Sequence, residues 1–519
     1  MSIFNENSRT KNVLRASSVG VVCNGINILM GFLYRTVFLW ILSEEYLGIN
    51  GLFTNILYVL SLSELGITTA ITYRFYEPIS RGDVRKVGQL MQFMKRVYAV
   101  IALTILVLGL SLLPFLNFFI RDTGEVPSDV NLELVYFLFL FQTVSSYLYA
   151  YKQTILGADQ RQYLVSLLQT VGFFVGYVVQ LVSLLIWKNF TLTLAGNIMM
   201  IVFYNFCISL WVTKKYRPIF QVKENLPVEE RKQIYADTKA TLMHKVGSTV
   251  VFGTDNVVVS KFIGLAAVGL YSNYGMIINA LENIIRQLFS SFTSSLGNAS
   301  VTLSKEDGYA AYKKLIFANF WIVGMVTVCL YLLVDDFIMI WLGPKMLLTG
   351  HTVFVLCLQF YISGNRKVTC SYIEGCGLFV RDRYRPLIEA GLNLVISVIL
   401  AMKIGIAGVF WGTAISYLLT IFWREPYILY KHEFHRSTWD YWKLYLKFAM
   451  LTAMACGGLL YLKSNWIHFE LTLIGWILQG IFCVVVYNIT AIALFFRERE
   501  FAFYLELVKR ILRKVTEKR

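Results

Sequence analysis

Apolar runs of about 20 residues recur from one end of the chain to the other, each closed by a short polar connection, and none alternates with the period of two that barrel strands need. Runs of this length cross a hydrocarbon core of about 30 Å as α-helices, because a helix satisfies its own backbone groups where no water can. The pattern therefore predicts an all-α, polytopic membrane protein with about fourteen transmembrane helices. The first run, Ser17 to Leu42, is too long for a signal peptide, carries Arg35 and lacks a small-residue cleavage site, so it is expected to remain as the first span.

Charge orders these spans. Cations gather in alternate connections: Arg9, Lys11 and Arg15 before the first span, Arg74 to Arg96 after the second, Lys152 and Arg161, and the long stretch from Lys214 to Lys239. The intervening connections are short or acidic, as in Ser43-Glu44-Glu45-Tyr46, Arg121 to Glu125, Lys188-Asn189-Phe190 and Asp335-Asp336. Cations resist translocation, so the first set is expected in the cytoplasm, with both termini. Pro227 followed by Glu229 and Glu230 predicts the opening turn of a short cytoplasmic helix. Past Phe496, Phe501, Leu505, Val508 and Leu512 share a helical face and Lys509, Arg513, Lys514 and Lys518 lie elsewhere, the pattern of a basic amphipathic tail on an anionic leaflet of membrane lipids.

Composition narrows the alternatives. The chain is 57% hydrophobic and 15% charged, so an aqueous core cannot hide its apolar surface. The formal charge of +16 is scattered over the connections and forms no single patch, which argues against nucleic acid. The eight cysteines show no metal or disulfide spacing and read as packing residues. No cofactor and no metal is expected, and no residue is placed as a catalytic nucleophile.

The chain also repeats. Gly51-Leu52-Phe53-Thr54-Asn55 returns as Gly269-Leu270-Tyr271-Ser272-Asn273, and Glu64 returns as Glu282, at an offset of 218 both times. Ala158-Asp159-Gln160-Arg161-Gln162-Tyr163 is answered by Val380-Arg381-Asp382-Arg383-Tyr384, and Leu194-Ala195-Gly196 by Ile406-Ala407-Gly408. An even number of spans between copies predicts two parallel six-helix lobes with two further helices: 1–225 (spans one to six), 226–440 (spans seven to twelve), 441–496 (spans thirteen and fourteen) and a tail, 497–519. In such proteins the substrate cavity lies between lobes, so spans one, two, seven and eight are the first places to look. The glycines and small hydroxyls of the repeated motif are expected to permit close packing near the outer end.

The run Glu45-Tyr46-Leu47-Gly48-Ile49-Asn50-Gly51-Leu52-Phe53 with Leu60-Ser61-Leu62-Ser63-Glu64-Leu65-Gly66-Ile67 resembles the first helix pair of Wzx-type polysaccharide and O-antigen flippases in the multidrug/oligosaccharidyl-lipid/polysaccharide (MOP) exporter superfamily. Asp255-Asn256-Val257-Val258-Val259-Ser260-Lys261-Phe262-Ile263-Gly264, leading into Val268-Gly269-Leu270-Tyr271, is similar to the start of their second half. The resemblance covers essentially the whole chain. It implies a flippase that moves an undecaprenyl-diphosphate-linked oligosaccharide across a bacterial cytoplasmic (inner) membrane, working beside a polysaccharide polymerase and other envelope-assembly proteins.

Ionisable residues inside spans cost several kcal/mol unless paired or hydrated, and so mark pathways. Arg35 is the clearest candidate for a diphosphate headgroup, whose oxygens a guanidinium can engage in a fork. Lys261, Arg286, Arg366 and Lys367 are further substrate-binding candidates. Glu64 and Glu282, at matched depth, and Asp255 are candidates for ion coupling or a gate, with an i, i+4 pair between Glu282 and Arg286 as the structural alternative. Two rival readings stand beside the flippase. A membrane polymerase or glycosyltransferase usually requires a sizeable external loop or an acidic catalytic pair, and the one such pair in the sequence, Asp335-Asp336, stands in a short loop that suggests interfacial solvation. A multidrug exporter of the same superfamily has twelve spans as a rule.

Overall fold

A computed structural model of the protein describes residues 9–61, 67–302, 304–376, 378, 382 and 384–516. Helices dominate: α1 (Arg9–Ile41), α2 (Glu44–Leu60), α3 (Ile67–Ser80), α4 (Val84–Leu112), α5 (Leu132–Ala158), α6 (Gln162–Trp187), α7 (Phe190–Lys215), the short α8 (Arg217–Phe220), α9 (Val228–Phe262), α10 (Leu265–Thr302), α11 (Lys305–Leu342), α12 (Gly350–Gly375), α13 (Arg385–Ile404), α14 (Ile406–Leu419), α15 (Ile421–Leu429), α16 (Trp439–Asn465), α17 (Leu473–Phe495) and α18 (Arg499–Thr516). Taking α2 with α3 and α14 with α15, and leaving aside α8 and α18, the described residues form fourteen span-length segments. Among the described residues, ten stretches are long and apolar enough to cross a membrane. The others, α2 with α3, α9, α10 and α12, are the shorter or more polar ones. This is a multi-pass membrane protein.

The duplication shows in the spacing of six helix pairs. The starts of α1 and α9, α2 and α10, α4 and α11, α5 and α12, α6 and α13, and α7 and α14 are 219, 221, 221, 218, 223 and 216 residues apart. Helices α16 and α17 follow this double set. By packing, the chain forms two compact units, residues 1–272 with 386–394, and residues 273–385 with 395–519.

In the first unit α1 packs on α6, α6 on α7, and α5 on α4 and α7. Its core is aliphatic and aromatic, with Phe38, Phe53, Phe75, Tyr136 and Leu140 fully buried. In the second unit α11 is the central helix, flanked by α12, α16 and α17, and α12 packs on α14 and α15. Aromatic rings dominate there: Phe448 stacks on Phe495 at 4.2 Å between centroids, and Phe317 meets both edge-on.

Connections that charge sorts to one side meet one another. At one end of the first unit Tyr46 donates to Asp129 (2.5 Å) and Arg121 donates to the Ile263 carbonyl (2.9 Å). At its other end Arg85 pairs with Glu224 (2.6 Å), Lys86 with Glu230, and Lys152 donates to Thr213 (2.9 Å). In the second unit Lys463 bonds Asp336 (2.5 Å) at one end, while Arg436 pairs with Glu306 (2.7 Å) and Lys313 with Glu500 (3.2 Å) at the other.

Several boundaries differ from expectation. The short helix predicted at Pro227 is the first turn of α9, a helix of 35 residues, and no glycine or proline between Val228 and Val246 separates that turn from the span. Of the second span, residues 62–66, and with them Glu64, lie outside the described residues. The twelfth breaks at Thr420 and ends in a π turn, Tyr430–Phe434, after Pro426 removes a backbone donor from α15.

Candidate functional site

Helix α2 lies against the start of α10 through glycines in and beside the repeated motif. A Cβ on Gly48 would sit 2.1 Å from the Leu265 carbonyl oxygen, and one on Gly269 2.1 Å from that of Glu44. At Gly51 it would meet Val268 at 3.0 Å and Asn256 at 3.4 Å. Only glycine lets these backbones approach so closely, as the motif predicts. The turn entering α10 is equally constrained. Gly264 has φ +137 beside the Glu125 carboxylate, which accepts from the Leu265 amide (2.7 Å) and so caps an orphan donor of α10.

Arg35 projects from α1 to this same place. Its Nη1 donates to Ser272 Oγ at 2.6 Å, and Ser272 in turn donates to the Gly269 carbonyl (2.7 Å). Tyr34 and Tyr177 stand alongside with ring centroids 5.7 Å apart, and Asn27 donates to Thr170 (3.4 Å), so one stripe of α1 facing α6 is polar. Ser272 is the hydroxyl of the second repeat copy, answering Thr54 of the first. The motif flagged the region, but nothing in the sequence coupled Ser272 to a residue 237 positions away.

The remaining candidates disperse. Asp255 lies in α9 beside Asn256, whose Oδ1 is buried without a hydrogen-bond partner; Ser260 Oγ, one turn on, is buried in the same way. Lys261, in the last turn of α9, holds its ammonium 4.5 Å over the Phe118 ring. In the second unit Lys367 of α12 pairs with Glu282 of α10 (3.2 Å), and Ser363 donates to the other carboxylate oxygen (3.3 Å). The i, i+4 alternative for Glu282 therefore fails, because a cation from a neighbouring helix takes the acid. Arg286 is exposed and donates to Asn283.

Arg366 forks onto Glu425 of α15, with Nε at 3.0 Å from Oε2 and Nη2 on Oε1. Glu425 is nearly sealed and also faces Arg385 at 3.7 Å. A small cavity beside the pair is lined by Asn365, Thr369, Phe422, Tyr441 and Tyr445. Glu425 escaped sequence reading because it stands between Arg424 and Pro426 at a span end, where a solvated acid is ordinary.

The third repeated landmark supplies a matched pair of buried acids. Asp159, between α5 and α6, accepts from Tyr216 at the end of α7 (2.6 Å) and pairs with Arg161 (2.9 Å). Burial, and then the bond to Asp159, pushes the Tyr216 phenol well up and keeps it a donor. Asp382, between α12 and α13, accepts from Arg385 and from Arg424 on α15 (2.6 Å). In each unit an aspartate thus ties the turn between the fourth and fifth spans to the end of the sixth. The acidic pair that a polymerase would use is also engaged, Asp335 by Tyr274 (2.6 Å) and Asp336 by Lys463.

This arrangement is the fold of MOP-superfamily transporters. The inward closed conformation of the lipid II flippase MurJ is similar over 92% of this chain and 99% of its own, with a TM-score of 0.67 and 13% identity. An inward-facing multidrug-resistance MATE transporter covers 87% of this chain and all of its own (TM-score 0.56, 14% identity), and the MATE transporter VcmN of Vibrio cholerae 83% and 98% (0.54, 14%). No family model and no curated protein matches the sequence.

Proposed function

We propose that the protein is a Wzx-type flippase, translocating an undecaprenyl-diphosphate-linked oligosaccharide from the cytoplasmic to the outer leaflet of a bacterial inner membrane by alternating access. The observation that carries the reading is Arg35: a guanidinium in an apolar span, beside the glycine-packed start of α10 and bonded to Ser272. A diphosphate requires compensating cations to enter a low-dielectric passage, and Arg meets its oxygens in a fork. The likeness to a lipid II flippase favours a lipid-linked cargo over a soluble one, as do α16 and α17, which follow the duplicated set. In this reading 1–225 and 226–440 are the two lobes, 441–496 the added helices, both termini are cytoplasmic, and a polymerase receives the product.

Arg35 is assigned to the headgroup, with Lys261, Arg286, Arg366 and Lys367 as the remaining cations along its route. The pair between Lys367 and Glu282 is partly exposed and suits a gate that opens and recloses, since such pairs are worth little net energy. Glu64 and Asp255 are assigned to ion coupling. Cells relying on an Arg35→Ala variant should lose surface polysaccharide while making normal amounts of the protein, and Arg35→Lys should restore part of it. Normal export by Arg35→Ala would remove Arg35 from the site. The second reading, a multidrug exporter, draws on the MATE likeness; drug resistance conferred by this chain without any polysaccharide phenotype would favour it.

A further inference from the structure

Helix α18 begins after a short connection from α17, residues 496–498, at the level where a span meets lipid headgroups. Its first turns are fixed to the second unit. Phe501 stacks on Trp321 of α11 at 5.9 Å and an interplanar angle of 9°, and Lys314 lies 4.2 Å over Phe503. Tyr504 donates to the Lys314 carbonyl (3.0 Å), and burial raises its phenol to about 12, so it stays a donor. Glu500 pairs with Lys313 and Glu498 with Lys447.

Beyond Tyr504 the same apolar stripe continues without that cover. Leu505 and Val508 follow Phe501 at i+4 and i+7, yet are 44% and 51% exposed. Lys509, Arg510 and Arg513 flank them, all exposed. We propose that α18 from Leu505 onward is a docking surface for anionic phospholipid headgroups, with Leu505 and Val508 entering the acyl boundary and Lys509, Arg510 and Arg513 meeting the lipid phosphates. Charge selects this occupant. A second copy would bring a like-charged helix, whereas an anionic leaflet offers both a negative surface and an apolar layer beneath it. The attachment through Phe501 and Tyr504 holds the helix at that depth, so docking costs little ordering entropy and fixes the cytoplasmic end of α11 to the membrane plane. This inference does not depend on what the protein transports.

The test compares the full-length protein in nanodiscs of phosphatidylcholine alone and of phosphatidylcholine mixed with phosphatidylglycerol, reading backbone hydrogen exchange over residues 505–516. Exchange is expected to be slower in the anionic discs, and the difference to shrink by about fivefold for each of Lys509→Gln, Arg510→Gln and Arg513→Gln. High salt should weaken it in the same way. Equal exchange in the two discs would overturn the proposal. So would protection that ignores lipid charge but rises with protein concentration, which would make a second copy the occupant.

Discussion

Buried charge is where this protein is most exposed to mutation. Glu425 sits almost sealed beneath Arg366 and keeps Arg385 at 3.7 Å, so Arg366→Ala removes both bonds of the fork but not every cation, and should destabilise the second unit by about 3 kcal/mol, the low end for a broken buried pair. Replacing both partners, Arg366→Met with Glu425→Leu, should recover most of that loss, because a packed apolar pair needs no compensation. Thermal unfolding of the detergent-solubilised variants measures both; equal melting of Arg366→Ala and the parent would mean that the fork contributes nothing. The cations themselves were legible, since an Arg or Lys inside an apolar run stands out. The pairings were not: Arg35 and Ser272, Arg366 and Glu425, and Lys367 and Glu282 stand 237, 59 and 85 positions apart, and only the fold brings them together.

Between elements, α2 and α10 meet backbone to backbone. Gly48→Val and Gly269→Val each place a side chain into the opposing backbone, and each should cost at least about 1–3 kcal/mol by overpacking. Gly25, whose Cβ would meet nothing within 4 Å, is the control, and Gly25→Ala should melt like the parent. A parent-like melting temperature for Gly269→Val would show that α2 and α10 do not touch there. Span positions followed from hydropathy because bilayer thickness fixes helix length. Breaks inside spans were harder to read: Pro426 is tolerated one turn inside α15, and the acidic start of α9 merges with the span it precedes. Propensity alone does not distinguish a long helix from two short ones when tertiary packing decides.

At the scale of the molecule, the duplicated motif pointed to a duplicated chain, and the element starts, 216 to 223 residues apart, carry that through six helix pairs. The matched aspartates Asp159 and Asp382 belong to the same design: each ties the turn after its fourth span to the sixth. Asp159→Asn keeps an acceptor for Tyr216 but loses the ion pair with Arg161, and should be milder than Asp159→Ala, which leaves the buried phenol with no partner. What the sequence could not carry is the cargo, because no covalent chemistry leaves a motif behind. The most direct measurement is translocation in sealed vesicles containing only the purified protein and a fluorescent undecaprenyl-diphosphate oligosaccharide, followed by quenching of the outer leaflet. Labelled lipid is expected to cross with the parent protein and to stay in place with Arg35→Ala. Vesicles in which the parent moves no lipid, yet lengthens the glycan from that donor, would contradict this expectation.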